Sequence, residues 1–420
     1  MRRGSSYSYS VIRRPDWRIS ALVLVLCSCA QLPAPGPVPS DAPIAFAVDG
    51  PETKGAAQLV TIDALKAVDF SVSAWYTPEG ETFEADGAHA TRYLENHRFG
   101  YLNSAWRGVS RNNTTLSPTP VYWPLDGTLT FFCYAPYQDG STDIRLAAPP
   151  ADMATREPDW LVGSPMICVT PAAADGTAVN QVDFLAAPAL LDNRRMDDAG
   201  VIAVDFTDHR LTRVSFSFNY YGELLDSEHA YVESIELNNV VGSRYFYYTE
   251  ATPYVMDCAW SDAVSPDDPD QAHTWPGDWP RASYRLSQGT IIPAVEKGLI
   301  TGVDSFLPKY DPYDLVNYPL VFKPVCTEQG VLCLLPQDLP ADATLTVRYV
   351  TSEQHGVPMT SDEITVNLST ALASWPAGKQ VHYKMTLNIP NHQISGLTAQ
   401  VEGWDDSLND HSSQQLLPHD

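Results

Sequence analysis

Basic side chains are scarce in this chain. Its 420 residues carry 26 Lys and Arg against 51 Asp and Glu, a formal net charge of −25. Nothing in such a chain displaces counterions from a phosphate backbone, so nucleic acid is excluded as a partner. Charged residues make up 18 %, below the usual ~25 %. Long apolar runs are also missing. The longest, Ile19–Leu26, falls well short of the ~20 residues that span a bilayer. No G-x-S-x-G, phosphate-cradling Gly loop or H-E-x-x-H occurs, and no Cys or His spacing suits zinc. Catalytic residues, metal ligands and cofactors are therefore not expected. Ten His are scattered, and none pair at i, i+4.

What is present is apolar, aromatic and rich in turn residues. Hydrophobic residues reach 44 %, which rules out intrinsic disorder. The 34 prolines exceed the ordinary ~5 % and exclude a long coiled coil. With 21 Tyr, 13 Phe and 10 Trp, the composition reads as all-β. Short β-type runs recur between turn clusters. In the first half they are Ile44–Val48, Ala67–Tyr76, Val121–Trp123, Leu129–Ala135, Met166–Val169 and Val182–Ala187. In the second half they are Val201–Phe206, Val214–Tyr221, Tyr231–Val240, Arg244–Tyr248, Leu345–Val350, Ile364–Leu368, Gln380–Ile389 and Leu397–Trp404. Val214-Ser215-Phe216-Ser217-Phe218 and Tyr383-Lys384-Met385-Thr386-Leu387 alternate with period two, as half-buried antiparallel strands do. One short helix is expected at Ala57–Leu65.

The N-terminus reads as an address. Arg2, Arg3, Arg13, Arg14 and Arg18 form a basic region ahead of the apolar run. The run ends in Leu26-Cys27-Ser28-Cys29, which resembles a bacterial lipobox. Residues 1–28 are then a lipoprotein signal peptide. Cys29 is the first mature residue and the lipid attachment site, with acyl chains such as palmitate holding the protein to the cell outer membrane. The alternative is an ordinary secretory signal with two incidental cysteines. Residues 29–43 form a Pro-rich tether, whose closely spaced prolines exclude it from a sheet. A boundary falls in the polar stretch after Leu191. It divides the rest into two β-sandwiches, 44–191 and 201–404, followed by a polar tail, 405–420. Residues 261–283, with four prolines, are expected to form a surface loop.

Five further cysteines lie at 133, 168, 258, 326 and 333. Cys133 and Cys168 sit in apolar runs and read as buried thiols. Cys326 and Cys333 bracket a turn, and either bridge across a hairpin or stay free. Asp267, Asp268, Asp270 and Gln271 lack the spacing and central Gly of a calcium loop and read as a solvated loop. Trp160, Trp260, Trp275 and Trp279 lie in or near Pro- and Asp-rich loops. They either pack over a sandwich edge or offer faces for a sugar.

Two stretches carry a family resemblance. The first runs from Pro120-Val121-Tyr122-Trp123-Pro124 through Gly127 and Phe131-Phe132-Cys133-Tyr134 to Tyr137. The second runs from Trp375-Pro376-Ala377-Gly378-Lys379 to Ile389, with Val401-Glu402-Gly403-Trp404 after it. From the residues alone, each reads as a Trp, a tight turn and a strand making a hairpin with a large buried payload. Together, and with the lipobox, they resemble the fimbrillin family, lipoprotein precursors of type V pili in Gram-negative bacteria of mouth and gut. The resemblance implies two tandem transthyretin-like antiparallel β-sandwiches. It implies a fimbrial subunit or accessory subunit at the cell surface that supports adhesion. Its partners would be other fimbrial subunits, the outer membrane through the lipid on Cys29, and a host or bacterial surface ligand.

The resemblance also implies donor-strand assembly, in which a protease removes the first strand and a neighbouring subunit's strand fills the vacated groove. The removable strand would carry Ile44, Phe46 and Val48 on one face. The family is cut after an Arg, but the first Arg after the signal is Arg92. Lys54 is therefore the candidate processing residue; alternatively it is a solvated turn residue and the chain remains a lipid-held anchor. The donor strand would be C-terminal, with Leu397, Ala399 and Val401. Two other readings stand beside this one: a non-polymerising surface glycan-binding lipoprotein, and a hydrolase on a β-sandwich.

Overall fold

A computed structural model describes residues 39–49, 62–83, 87–138, 144–149, 151, 153–156, 159–171, 183–195, 201–224, 229–249, 257–260, 281–287, 306–324, 332–352 and 360–404. The chain enters with β1 (Pro39–Pro43) and β2 (Ala45–Asp49). A short helix, α1 (Ile62–Val68), buries Leu65 and leads into β3 (Phe70–Thr77). A long hairpin follows, β4 (Thr91–Leu102) and β5 (Ala105–Asn112), then β6 (Thr115–Pro118), β7 (Tyr122–Pro124) and β8 (Thr128–Ala135). Next come β9 (Ile144–Ala147), a single helical turn α2 (Met153–Arg156), β10 (Met166–Val169), β11 (Leu185–Ala186) and β12 (Leu190–Asn193).

The second half runs β13 (Val201–Asp205), β14 (Thr212–Tyr221), β15 (His229–Val241), β16 (Arg244–Thr249), β17 (Asp257–Trp260) and β18 (Arg281–Ser287). Three short strands follow, β19 (Lys323–Pro324), β20 (Leu332–Leu334) and β21 (Gln337–Asp338). The chain closes with β22 (Thr344–Ser352), β23 (Thr360–Asn367), β24 (Ser374–Trp375), β25 (Lys379–Asn388) and β26 (Gln393–Gly403). The protein is all-β, as its composition implies.

The largest sheet has the order β11-β8-β3-β4-β5-β2-β13, with β12 beside β8 and β6 beside β5. Along β11, β8 and β3 both of its faces are buried, and period two explains how. In β8, Leu129, Phe131 and Cys133 enter one core while Phe132 and Tyr134 enter another. The first core is wrapped by the sheet itself. Leu185 from one end and Ile202 and Val204 from the other share it with Phe70 and Trp106. The second core lies against a four-stranded sheet, β17-β16-β10-β9. A third core fills a sandwich of β19-β14-β25-β26, with β20 beside β14, over β18-β15-β22-β23.

Several expectations are corrected. The strands do not divide at residues 191 and 201: β13 pairs in parallel with β2, and β16 pairs with β10. Residues 201–205 and 244–249 therefore extend the sheets of the first half, because pairing partners are chosen by shape and burial rather than by order along the chain. Two pairings, β13 with β2 and β14 with β25, are parallel rather than antiparallel. Both join segments far apart in sequence, as parallel neighbours require. Pro39–Pro43 lies in a ribbon with β7 rather than in the tether. The ribbon's irregular register and short length tolerate proline. Neither tryptophan hairpin forms as a ladder. Trp123 lies in β7, which pairs with β1, and Trp375 in β24, which pairs with β21. Pro124 and Pro376 follow these tryptophans and cannot donate to a hairpin ladder. Both rings are nevertheless buried. The helix sits at Ile62–Val68, later than Ala57–Leu65, and residues 281–283 of the expected loop belong to β18.

Candidate assembly site

β2 is an interior strand. It alternates as Ile44-Ala45-Phe46-Ala47-Val48-Asp49 predicts: Ile44 and Phe46 are buried, Val48 is half-buried, and Ala47 and Asp49 face out. One edge pairs with β5, Ala45 opposite Arg107 and Phe46 opposite Trp106. The other pairs with all five residues of β13. The Phe46 ring meets Phe99, Phe131 and Phe70 edge-on, with centroids 4.9, 5.5 and 5.7 Å away. Such pairs favour this geometry because ring edges and faces carry opposite partial charge. The Ile44 amide donates to the Val121 carbonyl (2.8 Å), and the Phe206 amide donates to that of Asp49 (2.9 Å). Lys54 and Cys29 lie outside the described residues.

The chain beyond Lys54 is fastened independently. Leu65 of α1 enters the same core as Phe46. Asp69, between α1 and β3, is fully buried with a left-handed backbone (φ 62°). Its carboxylate accepts from Arg111 of β5 through both Nε (2.6 Å) and Nη2. Arg98 Nε stands 3.8 Å away, its guanidinium 3.9 Å over the Tyr137 ring. The Asp69 hydrogen bond holds the Arg111 guanidinium above its ordinary pKa. Gly100 is required here, since a Cβ would meet Asp69 Oδ1 at 2.6 Å. Sequence reasoning missed this joint; the signal was a lone Asp at the foot of an aromatic strand.

Among the described residues β26 is an edge strand that pairs with β25 alone. Leu397 and Ala399 are half-buried against the third core, and Val401 is 44 % exposed. Its far end is anchored. Trp404 stacks on His209 with centroids 4.2 Å apart, and its carbonyl accepts from Arg213 Nη1 (2.9 Å). His209 Nδ1 lies 3.0 Å from Asp183 Oδ2. β2 and β26 belong to different sheets, so the structure does not bring the two candidate strands together within one chain.

Cys133 and Cys168 are buried free thiols, and burial pushes the Cys133 thiol far up. Cys333 is buried too, while Cys326 lies outside the described residues. Trp160 is half-buried against the second core and bridges Thr249. Trp260 lies in β17; Trp275, Trp279 and the Asp267–Gln271 stretch are outside the described residues. Among the described residues no group of three or more His, Cys, Asp or Glu could hold a metal ion, and no helix is long and apolar enough to cross a membrane.

The sequence profile of one family, described as fimbrillin-like, matches residues 63–404. The chain belongs to the fimbrillin-like family. This fimbrillin-like chain shares its fold with a fimbrial protein from Bacteroides vulgatus, at 16 % identity and a TM-score of 0.55. That alignment covers 87 % of this chain and all of the other. A candidate cell adhesion protein from Bacteroides uniformis aligns over 87 % of this chain and all of its own, with 10 % identity and a TM-score of 0.39. No curated protein matches.

Proposed function

We propose that this fimbrillin-like chain is a subunit, or accessory subunit, of a surface fimbrium that assembles by donor-strand exchange and supports adhesion. Its role is structural rather than enzymatic. It is a lipoprotein acylated on Cys29 and held at the outer membrane, and its partners are other fimbrial subunits. The observation that carries this reading is the seat of β2. It lies between β5 and β13, fills an aromatic core with Ile44 and Phe46, and ends five residues before Lys54. Cutting after Lys54 would free β2 and leave α1 and β3 held by Leu65 and the Asp69–Arg111 pair.

The donor is β26, which gains a second neighbour on transfer and gives up the contacts of Trp404 with His209 and Arg213. At its present edge it bonds one neighbour and leaves Leu397 and Ala399 half-buried. In a slot between two strands it would bond two and bury the whole i, i+2, i+4 face. Such head-to-tail contacts do not close, so they build a fibre.

Limited trypsin digestion of the chain from residue 30 onward tests this, with N-terminal sequencing and negative-stain microscopy. Cleavage after Lys54 followed by ladders or fibres is expected, with Lys54→Gln blocking both. Protein that stays uncut at Lys54, or is cut and remains monomeric, would overturn the donor-strand reading.

A further inference from the structure

Large apolar side chains exposed among the described residues stand singly or in pairs, with one exception. Ahead of β19, after β18, the chain runs Tyr310-Asp311-Pro312-Tyr313-Asp314-Leu315-Val316-Asn317-Tyr318-Pro319-Leu320-Val321. Tyr313 and Val316 are 90 and 92 % exposed, Leu315 and Leu320 are 55 and 56 % exposed, and Tyr318 and Val321 each 37 %. The segment is tied to the sandwich at both ends. The Tyr310 amide donates to the Tyr220 carbonyl (2.7 Å), and Lys323-Pro324 pairs with Ser217-Phe218. Lys309 Nζ lies 4.5 Å over the Tyr318 ring and 3.0 Å from Glu223.

We infer that this loop is a docking surface for a second copy of the chain, loop against loop about a two-fold axis. Area is the first argument. Six such side chains expose roughly 600 Å², near the ~800 Å² that each partner of a standard interface buries and far more than a small ligand covers. Monomers rarely expose apolar patches of this size without a partner. Charge is the second. Two copies at −25 each repel over most of their surfaces. Here Lys309 and Lys323 offset most of the charge of Glu223, Asp311 and Asp314, and Lys309 is already paired with Glu223. The like-charge cost of bringing two copies together is therefore smallest at this loop, and a two-fold arrangement sets the same apolar patch against itself. A cationic protein would find better partners on the acidic surface elsewhere, and an anionic bilayer would repel the chain.

The contact lies on the opposite edge of its sheet from β26 and involves no residue of β2. It is independent of strand exchange, so the test uses Lys54→Gln protein from residue 30 onward, which cannot be processed there. Sedimentation velocity up to about 0.1 mM should show a reversible dimer. Raising NaCl to about 0.5 M should tighten it, because salt screens like-charge repulsion and leaves apolar burial intact. Val316→Asp, at a side chain the fold does not use, should weaken the dimer by about tenfold or more without moving Tm. Val316→Cys should cross-link as a symmetric dimer. A monomer at every concentration and salt, or a dimer indifferent to Val316→Asp, would overturn the inference. So would a monomer that floats with phosphatidylcholine vesicles through this loop, which would make a lipid surface the occupant.

Discussion

Single residues decide how the two halves of this protein respond to pH and truncation. Tyr134 lies against the largest sheet's second core and Tyr383 in the third, and burial pushes both phenols up to about 12. A phenol whose folded pKa is raised keeps its full contribution below the ordinary value near 10. That contribution is lost as pH rises towards 12. Stability is therefore expected to be level through neutral pH and to fall steeply between about 10 and 12, by roughly 2–3 kcal/mol per tyrosine. Urea midpoints across that range would show it, and the Tyr134→Phe, Tyr383→Phe double variant should flatten the fall. Tyr383 also accepts from Trp375 Nε1 (2.8 Å) and Tyr134 donates to Asn96 Oδ1 (2.7 Å), so the double variant begins less stable by about 2 kcal/mol. Arg111 makes a second case. Arg111→Met would leave the Asp69 carboxylate buried with Arg98, 3.8 Å away, as its remaining cation. A loss of about 3 kcal/mol is expected, the low end for breaking a buried pair, because Arg98 offsets part of it. An unchanged unfolding midpoint would mean that Arg98 or water satisfies Asp69 fully.

Among the elements, β26 offers the sharpest separation of folding from assembly. Val401 is 44 % exposed at home, so Val401→Asp should cost the monomer about 1 kcal/mol or less. In the slot of a neighbour the same carboxylate would be buried without a partner, at a cost of several kcal/mol. Unchanged Tm with fibre formation abolished after trypsin treatment is the expected result. Fibres formed at the wild-type rate would remove β26 as donor. Elements with period-two alternation, β14 and β25, were readable from sequence because alternation follows directly from one face meeting an apolar core, and β8 was readable from its unbroken aromatic run, which two cores bury. β4 and β5 were not. Their Arg92, Glu95, His97, Arg98 and Arg107 hide the strand pattern, since those side chains lie at a sheet surface or pair with each other and with Asp69. One signal was available: Asn103-Ser104, both in left-handed conformations (φ 53° and 61°), is a hairpin turn of the primed kind. The site was legible at β2, where three alternating apolar residues follow the tether. Its walls were not, because β13 and β5 reach it through pairings that no local pattern encodes.

At the scale of the whole molecule, the composition gave the fold class while the grouping of strands stayed hidden. A polar stretch after Leu191 looks like a linker, yet the strand beyond it returns to lie beside β2. Such pairings are set by which apolar faces remain uncovered once the hairpins have formed, a property of the assembled sheets. Net charge, by contrast, is fully visible in the sequence and acts on the whole body. With 51 acidic against 26 basic side chains, self-repulsion favours the expanded chain over the compact one. Several of the ion pairs that would oppose this lie at the surface, as Arg92–Glu95 and Arg348–Glu233 do, and surface pairs contribute little. Screening should therefore relieve more repulsion than it removes attraction. Tm is expected to rise by a few degrees as NaCl is raised from about 10 mM to about 150 mM, where the Debye length shortens from roughly 30 to 8 Å. Sodium sulfate should raise it further by strengthening apolar burial. Measured on Val316→Asp protein, where dimerisation does not contribute, a Tm that falls with NaCl would mean that ion pairs rather than net repulsion govern the folded body.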